Sequence, residues 1–372
     1  MIRGLTLSLL CLLWMPSVTH GAFDELPFSE TVFKAKVLAV GQEGTREIPQ
    51  TGLTESYQEL TVVIIEGDRA GETITLENDS PVSLKEGSRF YLHRLPPIED
   101  SPELWSVGEP DRSGVLTILL ALFVFTALVT AGRAGVRALL ALAVSFAGII
   151  WGLLPLLYAG WSPAITALLI GTLILAVSMF ITHGINKGTV VALVGSVAAL
   201  MVSALIAHLA VLAANLSGFV SDETVFLNFA TDGALNLQGL LLGGILVGII
   251  GVLNDVSVSQ VHTVIQLREA NPSISRTQLW QTSMKVGQEH LGAVINTLPL
   301  AYAGASLPLL LLFSTSPAPF SFIVNREIFS AEVIRALAGS IGLMLSGVIA
   351  TGIAVLVLSE KGRGTITRPV NN

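Results

Sequence analysis

"GVLNDVSVSQVHTVIQLRE" (residues 251–269) runs on from the apolar stretch "GLLLGGILVGIIG" (239–251), yet it carries Asp255, His262, Gln266 and Glu269. At 100° per residue, Asp255, Ser259, His262, Gln266 and Glu269 recur in steps of 4, 3, 4 and 3. They fall within about 80° of arc. Valine, isoleucine and leucine cover the rest of the circumference, interrupted by Ser257, Gln260 and Arg268. The stretch therefore reads as one helix with a narrow polar stripe growing out of a membrane span.

A second polar seam follows in "NPSISRTQLWQTSMKVGQEHLGAVINTLPLAYAG" (271–304). Ser275 and Gln278 have capping-box spacing. Beyond them Lys285, Glu289, Gly292 and Asn296 step by 4, 3 and 4. Pro299 continues that face and is expected to kink or break the helix, because it lacks a backbone donor. Asn296 and Pro299 lie within an apolar run, so this seam enters the membrane. If the two seams face each other, Asp255 and His262 meet Lys285, Glu289 or Asn296. Buried ionisable groups are costly unless paired or hydrated, and in membranes they serve relays and binding sites. The alternative is that residues 254–290 form a helical hairpin on the cytoplasmic face, with the stripe in water. His183 and His208 read as packed or interfacial polar residues.

The rest of the chain fits a membrane setting. Of 372 residues, 52% are hydrophobic and 13% charged, with a mean hydropathy of +0.72; soluble domains carry about 25% charged residues. Spans are expected at 114–131, 138–158, 163–181, 188–214, 237–253, 291–313 and 336–358, seven in all. Small residues recur among them, as at Gly244, Gly248 and Gly251, and favour close helix packing.

Residues 1–21 have Arg3, a short apolar core and then Pro16 and small residues, the grammar of a signal peptide; an uncleaved anchor is the alternative. Cys11, the one cysteine, reads as an inert apolar residue, so no disulfide framework is expected. Residues 22–98 alternate in the manner of strands and suggest an extracytoplasmic all-β domain, an OB-like barrel or a sandwich. Residues 99–113 read as a linker, 114–358 as the transmembrane domain and 359–372 as a cytoplasmic tail. Between residues 22 and 113 there are 18 acidic and 8 basic residues, a balance that disfavours nucleic acid. With the β domain outside, nine basic residues fall in cytoplasmic segments and two, Arg326 and Arg335, fall outside. That agrees with the positive-inside rule and with a multi-pass inner-membrane protein.

The sequence lacks His-Glu-x-x-His, Gly-x-Ser-x-Gly, a phosphate-binding loop and paired intramembrane aspartates. Glu289 and His290 are adjacent and point about 100° apart, which does not suit a metal. No enzyme, cofactor or metal is expected.

"DVSVS" (255–259), "VGQEHLGAVINTLPLAYAGASLPLLLLF" (286–313) and "YQELTVVIIEGDRAGETITLEN" (57–78) together resemble the YibE/F-like family of bacterial membrane proteins. The pieces Asn296–Thr297–Leu298 and 301–304 carry the resemblance most specifically. His290 and Ala293 depart from its pattern, which has an apolar residue and a hydroxyl residue there. The resemblance implies the architecture and no substrate. The expected function is a transporter or permease in contact with the lipid bilayer. Its ion- or substrate-pathway candidates are Asp255, Ser259, His262, Glu289, Asn296 and Pro299. The alternative is a non-transporting accessory protein that docks an extracytoplasmic protein through the β domain. The sequence sets no oligomeric state.

Overall fold

The computed structural model describes residues 31–47, 54–95 and 103–358. The expected signal peptide and C-terminal tail lie outside these residues. The chain divides into two compact units, one holding the sheet and the following segment to Thr130, the other running from Ala131 onward.

In the first unit, β1 (Thr31–Glu47), β2 (Thr54–Ile64), β3 (Thr73–Asn78), β4 (Arg89–Leu95) and β5 (Leu104–Pro110) form one sheet. The pairing is antiparallel in the order β3-β2-β1-β4-β5. The period-2 pattern makes one face: Phe33, Ala35 and Val37, Leu60, Val62 and Ile64, and Phe90 and Leu92 are all buried together. Register irregularities in β1 at Val37/Ala39 and Val40/Glu43 bend that strand, and the edge strands β3 and β5 approach each other. Gln58 fastens the inner loop: its Oε1 accepts from Leu84 N at 2.8 Å and from Asn78 Nδ2 at 3.2 Å.

Strand β5 corrects the expected linker at 99–113. Leu104, Trp105, Ser106 and Val107 alternate as a strand should, and Trp105 packs on Phe33 with ring centroids 5.8 Å apart. The proline- and acid-rich flanks masked that alternation in the sequence. Immediately after β5, Asp111 takes a hydrogen bond from Ser113 N at 3.0 Å and an ion pair from Lys34 at 2.9 Å. It thereby joins β1 to the start of the first helix.

The helices are α1 (Ser113–Ala147), a π-helical segment (Gly148–Leu153), α2 (Leu154–Tyr158), α3 (Pro163–His183), α4 (Lys187–Ala213), α5 (Asp222–Ala230) and α6 (Leu237–Ala270). They continue with α7 (Arg276–Val294), α8 (Thr297–Ala305), α9 (Leu307–Ser314), α10 (Phe320–Val324) and α11 (Glu327–Leu358). Among the described residues, five helical runs are long and apolar enough to cross a membrane, or six if the bent pair ending in α9 is one span. The expected count of seven is not reached. Spans 114–131 and 138–158 fall in one run, Ser113–Tyr158, broken only at Gly132, where φ is 52°. With no proline there, the run carries Arg133 and Arg137 inside helix.

Helix α6 is the axis of the second unit and touches α3, α4, α7 and α11. Small residues permit this. A methyl group at Gly195 of α4 would lie 2.9 Å from the Cα of Ala350 of α11, and one at Gly171 of α3 would lie 2.6 Å from Ile250 Cδ1. The last helix, α11, packs along both α4 and α6. At the opposite end of the chain's loops, Glu327 accepts from Ser217 N and Gly218 N, each at 2.7 Å.

Two prolines shape the stretch 291–314. Pro299 cannot donate to the carbonyl of Ile295, and the helix is interrupted at 295–296 between α7 and α8. The sharp bend of 69° comes later, between Ala305 and Leu307, where Pro308 cannot donate to Gly304. The sequence reading placed the kink at Pro299; the larger one belongs to Pro308.

Candidate functional site

The polar stripe of α6 exists as spaced, and it lies opposite the packed face. Asp255, His262, Gln266 and Glu269 are exposed and Ser259 is half-buried, whereas Leu253, Val256, Gln260, Val261 and Val264 are buried. Asp255 opens into a cavity of about 420 Å³ between α1, the π-helical segment, α3 and α6. Its polar lining residues, Ser145, Ser178, Thr182, Asn254 and Asp255, all carry side-chain oxygens. Asn254 Oδ1 is buried and has no hydrogen-bond partner among the described residues. An unpaired buried acceptor costs about 1–3 kcal/mol. Ile149 of the π-helical segment lines the same cavity, and π turns mark functional sites more often than ordinary helix does.

Two histidines, from α3 and α6, meet each other. His183 ends α3, and its ring meets that of His262 edge-on at 6.0 Å and 89°. Asp255 lies within electrostatic reach of His183 and His290. Thus His183, read from sequence as packed or interfacial, and His290, which departs from the family pattern, both lie within electrostatic reach of the carboxylate. No group of three or more His, Cys, Asp or Glu able to hold a metal occurs among the described residues.

The second seam does not face the first. Helix α7 packs through Leu279, Ser283, Gly287 and Leu291, while Lys285, Glu289 and Asn296 point outward. The reason is steric. A methyl group at Gly287 would lie 2.6 Å from Gln260 Oε1, so the glycine face of α7 is the one that fits over Gln260. Asn296 sits at the α7–α8 interruption, and Pro299 lines a different cavity. Ser259 contributes its carbonyl to Thr263 Oγ1 at 2.9 Å.

Sequence reasoning overlooked the buried polar contact that α6 does make. Thr351 Oγ1 of α11 lies 3.1 Å from Gln260 Oε1 and 2.7 Å from the Gly347 carbonyl. A hydroxyl has one proton, so turning the amide over lets Gln260 Nε2 donate while Thr351 serves Gly347. The signal was present in Gln260 itself, a polar residue in the apolar arc.

An antiparallel five-stranded sheet followed by several helices of membrane-crossing length and composition points to a membrane protein with an N-terminal β domain. The family model described as "YibE/F-like protein" matches residues 119–360. The chain belongs to the YibE/F-like family. Neither a curated protein nor a solved structure matches it.

Proposed function

We propose that the protein is a multi-pass transporter of the inner membrane in which Asp255 binds a proton or a small cation. The observation that carries this reading is the oxygen-lined cavity beside Asp255 inside an otherwise apolar bundle. Carboxylate, amide and hydroxyl oxygens are the donor set of hard cations, and an ionisable residue at a membrane cavity is a pathway candidate.

Helix lengths support the geometry. Ser113–Tyr158 contains 46 residues, about 69 Å of helix against a core of about 30 Å, so it crosses twice with Gly132 as the turn. With the bent pair as one crossing, the count is seven, the β domain is extracytoplasmic and the C-terminus cytoplasmic. Helix α6 has 34 residues, about 51 Å, so its end projects into the cytoplasm. Asp255 then lies near the cytoplasmic edge, and Gln266 and Glu269 stand in water. The β domain, released behind a cleaved signal peptide, is an OB-like barrel.

The test is ion flux in proteoliposomes with an entrapped pH dye, under imposed proton and sodium gradients. Asp255→Asn abolishes flux, and Glu269→Gln, about four turns further along the stripe, retains it. Undiminished flux in Asp255→Asn sinks the assignment. The second reading, an accessory protein, draws on the exposed Val32, Leu38 and Leu104 of the sheet. Under that reading, deleting residues 23–110 removes a co-purifying partner and leaves insertion intact.

A further inference from the structure

In the sheet unit, Lys34, Arg46, Arg69, Arg94 and Arg112 each pair with a carboxylate. Lys36, Lys85 and Arg89 have no ion-pair partner among the described residues. Lys85 is followed by Glu86, so the turn they share adds no net charge. Lys36 and Arg89 are different: they are direct register partners across β1 and β4, and both are exposed. The alternation that buries Ala35, Val37, Phe90 and Leu92 sets them on the outer face together. Opposite residues in an antiparallel pair hold their Cβ atoms about 4.5–5.5 Å apart, where like charges repel. Residues 22–113 hold 18 acidic and 8 basic residues, yet no carboxylate is placed against this pair.

The pair stands where the chain leaves the sheet for the membrane. Asp111 N donates to the Arg89 carbonyl at 2.8 Å, and α1 begins two residues later at Ser113. Val115 and Leu116, in the first turn of α1, are 71% and 54% exposed, as side chains facing lipid are. One strand spacing, two extended residues and two helical ones put Arg89 within about 15 Å of that apolar turn. The headgroup layer on each side of the hydrocarbon core is about 5–8 Å deep, and long basic side chains cover the remaining gap. The nearby acids are already neutralised, Asp111 by Lys34 and Glu109 by Arg112. Tyr91, exposed on the same face of β4, is a residue type that settles at headgroup level.

We propose that Lys36 and Arg89 bind the phosphate of an anionic phospholipid headgroup where α1 enters the bilayer. One phosphate between them removes the like-charge contact: the guanidinium fork takes two oxygens and the ammonium a third. The inference needs α1 to cross the bilayer and does not need Asp255 to carry an ion.

The experiment is calorimetric titration of the full chain in neutral detergent with dihexanoyl phosphatidylglycerol, and in parallel with dihexanoyl phosphatidylcholine and with inorganic phosphate. Each Lys or Arg at an anionic surface is worth about fivefold in affinity, so saturable phosphatidylglycerol binding roughly tenfold or more tighter than either other probe is expected. Lys36→Gln combined with Arg89→Gln should remove most of that preference; both side chains are exposed, so the core stays intact. Arg46→Gln, at the far end of β1, should leave the preference unchanged. Four results overturn the proposal. They are equal affinity for the two lipids, inorganic phosphate binding as tightly as phosphatidylglycerol, an unchanged preference in the double variant, or an equal loss in Arg46→Gln. The second would make the pair a free-anion site, and the last would make the effect one of net charge.

Discussion

The two units solve the burial of a polar backbone in opposite ways. The β domain packs large side chains, Phe33, Leu60, Ile64, Phe90 and Leu92, on one face and pairs its charges, some at the surface as in Arg46–Glu77 and some largely covered as in Lys34–Asp111. The helical unit packs glycine, alanine and serine against each other, and its buried polar groups are hydroxyls and amides such as Ser196, Ser203, Gln260 and Thr351. Water drives large apolar groups together in the first case. Lipid supplies no such drive, so the helices rely on close backbone approach and on interhelical hydrogen bonds. A mutation should therefore be judged by the volume it removes in the sheet and by the volume it adds in the bundle.

The strongest way to break this comparison is a pair of opposite substitutions. Phe90→Ala should cost about 3–5 kcal/mol and unfold the β domain by limited proteolysis, with the helical unit still inserted. Next, Gly195→Leu should cost about 3 kcal/mol in detergent melts, because its side chain meets the backbone of Ala350. Gly244→Ala, where an added methyl meets nothing within 4 Å, should be close to neutral. Equal effects at Gly195 and Gly244 would refute the close-packing account. Smaller still, Thr351→Val should cost about 1 kcal/mol by freeing the Gln260 amide.

The smallest effect is a pH dependence. Hydrogen bonds from the Ser113 hydroxyl, from Lys34 and from the Ser113 amide hold the Asp111 carboxyl down at about 2, from an ordinary value of 3.8. A depressed carboxyl stabilises the fold fully above the unfolded value. That contribution, about 1 kcal/mol after solvent screening, declines as pH falls from about 4 to about 2. Hydrogen exchange at β1 and β4 amides should show it, and Asp111→Asn should flatten the dependence in that window.

Strands β1 to β4 were legible because alternation against water leaves a period-2 record. β5 was not, since Leu104 to Val107 is short and framed by prolines and acids. In the bundle, the stripe on α6 was legible as an angle on one helix, but periodicity names no neighbour. Which face of α7 meets α6 depended on Gly287 fitting over Gln260, a matter of shape. Likewise, Asp255 could be singled out as a charge near an apolar run, whereas its oxygen-lined cavity gathers residues from positions 138 to 255 that no local pattern connects.

The position of α11 has a consequence for biogenesis. It is made after the other described helices, and it supplies the surface that α4 and α6 pack against. Between Ala213 and Leu358, synthesis at about 5–20 residues per second takes roughly 7–30 s. Through that interval the glycine face of α4 lies in the bilayer without its partner. The nascent protein spends those seconds as a bundle missing its keystone, the stage at which the insertion machinery or a membrane chaperone has most to shield.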